Sequence, residues 1–260
     1  MRVYLINLER RKDRLKAMQG QAAGLGLELE RVTALDAGTA DRDSVNRWFA
    51  TSGPLGEIPA GDKACLLSHR AAWERFVASG EAHAVFLEDD VRLSRAAGPM
   101  LASDAWIPDG AQVVKLEHYG PPGQRVLLAD IHAVGDTFRI GRMLSRHTGG
   151  AAYILSRQAA AMLLAEPRFD LPVDHLLFNP NNSELFARLK PWQLLPAIAR
   201  QQEFVGEKSD IEKTRAGLRA FGWTYIRREL VRFGYDLKLL PRQIAARLSG
   251  AKFVNVKTAD

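Results

Sequence analysis

Val85-Phe86-Leu87-Glu88-Asp89-Asp90 is an apolar stretch that ends abruptly in three carboxylates. Residues 82–87 are short, apolar and preceded by Gly80, which is typical of a buried strand in an α/β sheet. Adjacent acids repel one another and lose hydration when partly buried, so basic side chains or a divalent cation must compensate them. Ligands bind outside the carboxyl ends of strands in open α/β sheets, and the position therefore suits a site. The competing interpretation is a solvated strand end or a helix N-cap.

Strands and helices alternate through the first two thirds of the chain. The pattern predicts strands at residues 2–8, 27–34, 82–87, 112–116, 151–155 and 194–199. It predicts helices at residues 10–23, 61–79 and 156–165, with shorter ones near 41–50 and 174–178. This order indicates an α/β class with a mostly parallel sheet and flanking helices. We place a catalytic domain at residues 1–210 and a basic, helical C-terminal region at 211–260.

Length and composition bound the class of protein. The 260 residues suffice for one large domain, or for one domain with an appendage. Cys65 is the single cysteine, which excludes a disulfide framework, a zinc finger and a CxxC motif, and favours a reducing compartment. We see no secretory signal peptide and no run of about 18 apolar residues, so we expect a cytoplasmic protein. Neither GxxxxGK[ST] nor a GxGxxG after a strand occurs, so any nucleotide is held by other means.

Basic residues are concentrated at the C-terminal end of the chain. The formal net charge is +6, to which residues 213–260 contribute +8 and residues 1–212 contribute −2. Aromatic and aliphatic side chains are interleaved with these basic ones, as in helices that lie in a membrane interface. We predict that this tail docks on an anionic membrane surface; the alternative is that its helices pack on the catalytic domain. Nucleic-acid binding is a rival hypothesis, but no recognised motif supports it and we expect no nucleic-acid partner.

Four separated blocks of sequence carry a resemblance to a known family. They are VYLINLERRKDR at residues 3–14, GDKACLLSH at 61–69 with Trp73, FLEDDV at 86–91, and GGAAYILS at 149–156 with PVD at 172–174. Their order and spacing resemble glycosyltransferase family 25, which includes bacterial lipooligosaccharide galactosyltransferases and the catalytic domains of collagen galactosyltransferases. The resemblance covers residues 1–205. Asp62 and Ala64 stand where members usually carry Glu and Gly, and neither change removes a reacting group.

The resemblance implies a GT-A fold, a nucleotide-sugar donor, a divalent cation of the Mn²⁺ type and an inverting transfer. The favoured hypothesis is an enzyme that moves a hexose, galactose from UDP-galactose, onto a lipopolysaccharide or lipooligosaccharide core sugar. A glycolipid or oligosaccharide acceptor would place it as a peripheral protein on the inner face of the inner membrane. The rival enzyme class is a metal-dependent phosphohydrolase built on the acidic triplet, which the lack of a second, His-rich metal set makes weaker.

The resemblance also assigns candidate residues for the donor and the cation. Asp90 and Glu88 are the candidate metal ligands, and Glu88 or Asp89 would otherwise contact the ribose or metal-bound water. The candidate nucleotide-binding residues are Asn7, Arg10, Arg14, Lys63, Ser68, His69, Glu88 and Asp89. A strand end that runs into a helix N-terminus favours anions. The competing interpretations are a solvated basic helix face for the arginines, a salt bridge for Asp89 and a structural core position for His69.

An inverting transfer needs a carboxylate that deprotonates the acceptor hydroxyl from the face opposite the leaving group. Asp174 is the best-placed acid outside the metal cluster, and Asp170 is the second choice. The competing interpretation is that Asp174 caps the helix at 174–178. Lys115 and Glu117 end the strand that follows the acidic motif, and they either line the acceptor side or are ordinary surface charges.

Overall fold

The computed structural model describes residues 1–120, 124–201 and 239–260. The strands are β1 (Arg2–Leu8), β2 (Leu29–Ala34), β3 (His83–Glu88), β4 (Val91–Leu93), β5 (Val113–Lys115), β6 (Glu117–His118), β7 (Arg125–Val134), β8 (Phe138–Met143), β9 (Ala152–Ser156), β10 (Trp192–Leu195), β11 (Ala199–Gln201) and β12 (Lys252–Asn255). The helices are α1 (Lys12–Leu25), α2 (Arg42–Asn46), α3 (Ala60–Ser79), α4 (Ala97–Leu101), α5 (Arg157–Leu164), α6 (Val173–Phe178) and α7 (Glu184–Leu189). Residues 239–248 are also helical.

The main sheet is mixed, with the strand order β12-β7-β8-β10-β5-β9-β3-β1-β2. Parallel pairing joins β2, β1 and β3, and it also joins β5 to β10. The remaining neighbours are antiparallel, because β9 runs against both β3 and β5, and β7, β8 and β12 form an antiparallel edge. A smaller sheet has the order β4-β11-β6. The α/β class is confirmed, whereas the expectation of a mostly parallel sheet holds for part of it.

Alternating side chains of β1 and β3 build a core on each side of the main sheet. Tyr4 and Phe86 point to the side covered by α3 and stack on each other with ring centroids 5.5 Å apart. Leu5 and Leu87 point to the other side, where they pack with Met18 of α1. Fully burying one such side chain contributes roughly 1.5–3 kcal/mol. The two-residue period of a strand thus fixes which face of the sheet each helix covers.

The parallel register of β1 and β3 brings the functional residues together. Ile6 lies opposite Glu88, so Asn7 and Asp89, the residues that follow, lie side by side at the same edge of the sheet. Both strands end there, and α1 begins four residues beyond β1. The sequence blocks at 3–14 and 86–91 therefore meet because of the register of two neighbouring strands.

The last residues of the chain belong to the main sheet. β12 pairs with β7. Beyond β12, the backbone N–H of Ala197 donates to Lys257 O (2.8 Å), and the backbone C=O of Ala197 accepts from Ala259 N–H (2.7 Å). A helical region was expected for residues 211–260. Residues 239–248 are helical as expected, whereas β12 is a strand. Most of the basic segment behind the tail prediction, residues 213–238, lies outside the described residues. Among the helices described, none has the length and apolar character needed to cross a bilayer.

Candidate active site

A cleft of about 300 Å³ opens at the carboxyl ends of β1 and β3. The side chains that line it include Arg10, Arg14, Asp36, Cys65, Ser68, Glu88, Asp89 and Asp90. The three acids of the opening motif all face this cleft, and one wall is formed by the first turns of α3. The strand-end position predicted from the sequence is therefore where the structure places the acidic triplet.

Asp89 is neutralised within the protein. Its Oδ2 accepts a hydrogen bond from Asn7 Nδ2 (2.7 Å), and its Oδ1 forms an ion pair with Arg14 Nη1 (3.0 Å). Asn7 is itself held by Arg31, whose Nε donates to Asn7 Oδ1 (3.0 Å). The salt-bridge interpretation of Asp89 is thus the one the structure shows. Asn7 lies behind the cleft wall and positions Asp89.

The negative charges of Glu88 and Asp90 are balanced less well by nearby positive charge than that of Asp89. Burial raises the pKa of each carboxyl to about 7; the charge of Asp89 adds to the shift of Glu88, and the charge of Glu88 adds to that of Asp90. Asp90 Oδ1 is buried and has no hydrogen-bond partner among the described residues, while Arg14 Nη1 is 3.9 Å from the other oxygen. Uncompensated carboxylate oxygens that face a cleft fit a hard divalent cation. The residues present therefore suit the cation that the sequence predicted.

His69 connects Glu88 to the aromatic core. Trp73 Nε1 donates to Tyr153 Oη (2.9 Å), Tyr153 Oη lies 2.7 Å from His69 Nδ1, and His69 Nε2 lies 3.1 Å from Glu88 Oε1. Burial lowers the pKa of His69 to about 3, so the ring is neutral and carries one N–H. Because an indole can only donate, the Tyr153 hydroxyl is free to donate to Nδ1, and Nε2–H then donates to Glu88. His69 is thus a core residue that also orients a site carboxylate.

Of the other predicted nucleotide-binding residues, Arg10 and Ser68 line the cleft and Lys63 does not. Arg10 lies at the cleft rim, where its Nε pairs with Asp36 Oδ2 (2.6 Å). Ser68 Oγ donates to Ala64 O (2.7 Å) and accepts from Leu35 N–H (2.8 Å), so it fixes the loop after β2 against α3. Lys63 is turned towards α2, where its Nζ donates to Asn46 Oδ1 (2.7 Å), and it does not line the cleft.

Asp174 lies in the first turn of α6 and packs against the turn at residues 149–150. A Cβ added to Gly150 would lie 3.5 Å from the Asp174 Cα and Cβ atoms. The N-cap residue of α6 is Pro172, and no side chain caps the helix, so the capping interpretation of Asp174 is wrong. Its carboxylate has no hydrogen-bond or ion-pair partner within the part of the chain described. Its charge reaches the cleft, since it contributes, after burial and Asp89, to the raised pKa of Glu88.

Lys115 and Glu117 form a buried ion pair. The sequence alone did not decide whether these two residues line the acceptor side or are surface charges. Both side chains are 0% exposed, Lys115 Nζ is 2.7 Å from Glu117 Oε1, and the ammonium also donates to Gly149 O and lies 4.4 Å from the Phe178 ring centroid. The interpretation as ordinary surface charges is therefore wrong. The available signal was a lysine inside the apolar run Val113–Leu116, because a charge there must be paired or exposed.

Comparison with known proteins places the chain in a family. The family model described as "Glycosyltransferase family 25 (LPS biosynthesis protein)" matches residues 1–177. This chain belongs to glycosyltransferase family 25. The match spans every candidate residue discussed above, from Asn7 to Asp174, and confirms the family resemblance inferred from the four sequence blocks.

Family 25 relatives align over different parts of the chain. "Lacto-N-neotetraose biosynthesis glycosyltransferase LgtB" of Neisseria meningitidis serogroup A is 35% identical over 158 residues, which are 54% of this chain and 53% of the relative. The matched part thus spans about half the length of that protein. LgtE of Neisseria meningitidis serogroup B is 29% identical over 245 residues, 80% of this chain and 83% of the relative. A "Glycosyltransferase 25 family member" of Aedes aegypti is 26% identical over 84% of this chain and 38% of its own length.

A solved structure also aligns, more loosely. It is described as "Crystal structure of a glycosyltransferase involved in the glycosylation of the major capsid of PBCV-1". The TM-score is 0.41 and the identity 10%, over 83% of this chain and 98% of that one. The family assignment therefore rests on the sequence matches.

Proposed function

We propose that this family 25 chain is a cation-dependent, inverting glycosyltransferase with a GT-A-like fold. Its donor would be a nucleotide sugar, UDP-galactose in our hypothesis, and its acceptor a lipopolysaccharide or lipooligosaccharide core sugar. The observation that carries the proposal is the Glu88–Asp90 carboxylate pair, which is partly buried at a strand-end cleft and lacks sufficient positive charge. The names of the LgtB and LgtE relatives, which concern oligosaccharide biosynthesis, support an oligosaccharide acceptor.

Asp90 and Glu88 would hold the divalent cation, for which their oxygens favour a hard ion such as Mn²⁺. When bound, the cation supplies Lewis-acid neutralisation of the leaving diphosphate, worth several kcal/mol of transition-state stabilisation. The salt bridge from Arg14 holds Asp89 in place beside this pair. Arg10, at the cleft rim, is placed to contact an anionic donor. The predicted donor contact of Lys63 requires its ammonium to leave Asn46.

Asp174 is the proposed general base. The acceptor oxygen would attack the anomeric carbon while the bond from that carbon to the diphosphate oxygen breaks, which inverts the configuration. The hydroxyl proton would pass to an Asp174 carboxylate oxygen, which the described residues leave without a hydrogen-bond partner. A carboxylate without a hydrogen-bond partner among the described residues, close to the 149–150 turn, suits this role.

The test is a donor assay with UDP-galactose, UDP-glucose and UDP-N-acetylglucosamine, each with and without Mn²⁺. We expect Mn²⁺-dependent hydrolysis or transfer from one donor, and loss of it in Asp90→Asn. Asp136→Asn is the matched control, because Asp136 is an exposed acid in the turn between β7 and β8. Cleavage of simple phosphate esters without use of any sugar nucleotide would support the phosphohydrolase alternative instead.

We further propose that the C-terminal region docks on anionic membrane lipid. Leu240, Ile244 and Leu248 follow one another at four-residue spacing on the helix at 239–248 and are 47%, 52% and 86% exposed. Phe253 of β12 is also exposed, and the Arg247 guanidinium lies 5.4 Å from its ring centroid. Exposed apolar side chains beside basic ones suit an interfacial helix. The net charge of +8 over residues 213–260 favours an anionic surface as the partner.

Point variants test this docking better than truncation, because removing the chain end would also remove β12 from the main sheet. We expect wild-type protein to sediment with vesicles that contain anionic lipid, and less so as salt screens the charges. The triple variant Leu240→Gln/Ile244→Gln/Leu248→Gln should lose this binding and keep donor hydrolysis. Wild-type protein that ignores anionic vesicles at low salt would show that the region has a structural role.

A further inference from the structure

A second set of metal-binding atoms lies behind the acidic cleft. Cys65 Sγ, His69 Nε2 and Glu88 Oε1 all lie within 4.8 Å of one another. Glu88 Oε1 is the shared atom, 3.7 Å from the Cys65 sulfur and 3.1 Å from His69 Nε2. Cys65 and Glu88 line the cleft, so the group is reached from the same opening as Asp90.

Helix geometry explains why the sulfur and the imidazole converge. Cys65 and His69 are four residues apart on α3, so their side chains project from the same face of the helix. That face packs against the end of β3, where Glu88 is the last residue of the strand. The cluster is therefore built on two regular elements, which hold ligands more firmly than loops do.

The chemistry of these three donors differs from that of the Glu88–Asp90 pair. A thiolate, an imidazole and a carboxylate are the ligand types of Zn²⁺, and three protein ligands with one open position are typical of accessible zinc sites. Carboxylate oxygens alone favour harder ions such as Mn²⁺ and Mg²⁺. Of the two neighbouring sites that share Glu88, the Cys65–His69 side would thus prefer softer ions such as Zn²⁺ and the Asp90 side harder ions such as Mn²⁺.

The imidazole already has the support that a metal ligand needs. His69 is fully buried, its ring stacks on Tyr153 with centroids 5.6 Å apart, and its Nδ1 lies 2.7 Å from Tyr153 Oη. Histidine ligands usually hydrogen-bond through their second nitrogen, which fixes the tautomer and the ring plane. With a metal on Nε2, the ring N–H would lie on Nδ1 and donate to Tyr153 Oη.

We propose that Cys65, His69 and Glu88 form a binding site for one thiophilic divalent cation such as Zn²⁺, which differs in its donors from the Glu88–Asp90 oxygen site but shares Glu88 with it. Binding forms bonds from the cation to Sγ, Nε2 and Oε1. The thiol proton leaves to solvent, as does the proton of Glu88 wherever that carboxyl is protonated, and the imidazole exchanges its Nε2 proton for one on Nδ1. No oxidant or reductant is required.

The site also has a consequence that rests on the proposed function. Because Glu88 would be taken by the softer ion, Zn²⁺ should inhibit Mn²⁺-supported transfer. Cys65→Ser should relieve that inhibition, since it removes the donor that favours the softer ion.

Cobalt(II) is the probe that tests the site directly. Cys65 is the single cysteine of the chain, so a thiolate-to-cobalt charge-transfer band in the near-ultraviolet can arise from no other residue. We expect wild-type protein to show this band, saturating at one Co²⁺ per chain, and Zn²⁺ to remove it by displacement. Cys65→Ser should lack the band altogether, and circular dichroism checks that the variant is folded.

Three further variants decide whether the band reports the proposed cluster. Glu88→Gln and His69→Gln should each weaken Co²⁺ binding at least tenfold. Asp90→Asn should keep the band while losing Mn²⁺-dependent transfer, which separates this proposal from the proposed function. A wild-type protein without the band, or a band unchanged in both Glu88→Gln and His69→Gln, would overturn the proposal.

Discussion

Two charge clusters in this molecule, one fully buried and one partly buried at a cleft, differ in how their charges are compensated. In the Lys115–Glu117 pair, an ammonium and a carboxylate with no exposed side-chain surface meet at 2.7 Å. In the Glu88–Asp90 pair, two like charges share a cleft, and burial holds the pKa of each at about 7. The first cluster contains its own counter-charge, although Glu117 Oε2 has no hydrogen-bond partner among the described residues, whereas the second needs a cation or protons from outside.

The presence or absence of a counter-charge inside the protein distinguishes a structural ion pair from a candidate ligand site. Burying a charge is costly unless it is paired, so a folded chain normally supplies the partner, as it does for Glu117. The chain supplies Arg14 to Asp89 at 3.0 Å, but leaves Asp90 with a distant contact at 3.9 Å. Strongly perturbed acids in a cleft are typical of functional sites. The comparison therefore supports our proposal that Glu88 and Asp90 bind a ligand.

Replacing Asp90 by Ala should produce the largest effect, a loss of transfer of roughly a thousandfold or more, because several kcal/mol of diphosphate neutralisation is removed. The variant should fold normally, since the substitution removes an unsatisfied buried oxygen. Steady-state transfer assays over a range of Mn²⁺ concentrations provide the measurement. Activity within a few-fold of wild type would assign the cation to other residues.

Replacing Lys115 by Met should lower the free energy of unfolding by about 3–5 kcal/mol, because Glu117 would remain buried without its counter-charge. The double variant Lys115→Met/Glu117→Gln should recover most of this loss, since no charge is then buried. Urea denaturation of the single and double variants measures the coupling. If the double variant is as unstable as Lys115→Met, the pair contributes by packing and the contrast with Glu88–Asp90 disappears.

Local elements of the fold were predictable because they depend on nearby residues. The strand predicted at residues 2–8 is β1, and the helix predicted at 156–165 is α5, whose N-cap Ser156 accepts from Ala159 N–H at 3.0 Å. The strand expected at 194–199 is interrupted at Pro196, which has no N–H for a ladder. The direction of β9 and the pairing of β12 with β7 were not predictable, since distant segments decide them.

The candidate site was predictable in its location and less so in its contacts. The acidic triplet lies at the expected strand end, and Arg14 of α1 reaches it because β1 and β3 are neighbours. The pairing of Arg14 with Asp89, 75 residues apart, depends on tertiary packing and decides which acids remain available. The same holds for the contacts from Trp73 through Tyr153 to His69, which position Glu88 and have no short-range signature.

Asp174 is the proposed general base, and its carboxylate has no hydrogen-bond partner in the described segments. Asp174→Asn should preserve donor and Mn²⁺ binding but slow transfer by roughly a hundredfold, the scale of losing a general base. Binding by thermal shift and transfer rates, measured on the same preparation, separate the two effects. A collapse of donor affinity together with the rate would place Asp174 in the donor or metal site.

The smallest expected effect is a pH dependence of stability that distinguishes the two clusters. In the unfolded chain Asp90 has a pKa near 3.8, and in the folded protein burial and then Glu88 raise it to about 7. Between these values the folded state holds a proton that the unfolded state has lost. Without a cation, Asp90 therefore destabilises the protein progressively as pH rises from about 4 to about 7.

The difference between wild type and Asp90→Asn isolates this effect. Buried His69 and His147, whose pKa values burial lowers to about 3, give the opposite slope below pH 6.5, but they do so in both proteins. Asp90→Asn should thus gain stability over wild type by on the order of 2 kcal/mol between pH 4 and pH 8. Saturating Mn²⁺ should remove that gain, because the cation compensates the ionised carboxylates of the wild type and stabilises its folded state. Urea denaturation at several pH values, with and without Mn²⁺, provides the measurement. A constant difference across this pH range would mean that Asp90 is ionised at ordinary pH without help from a ligand.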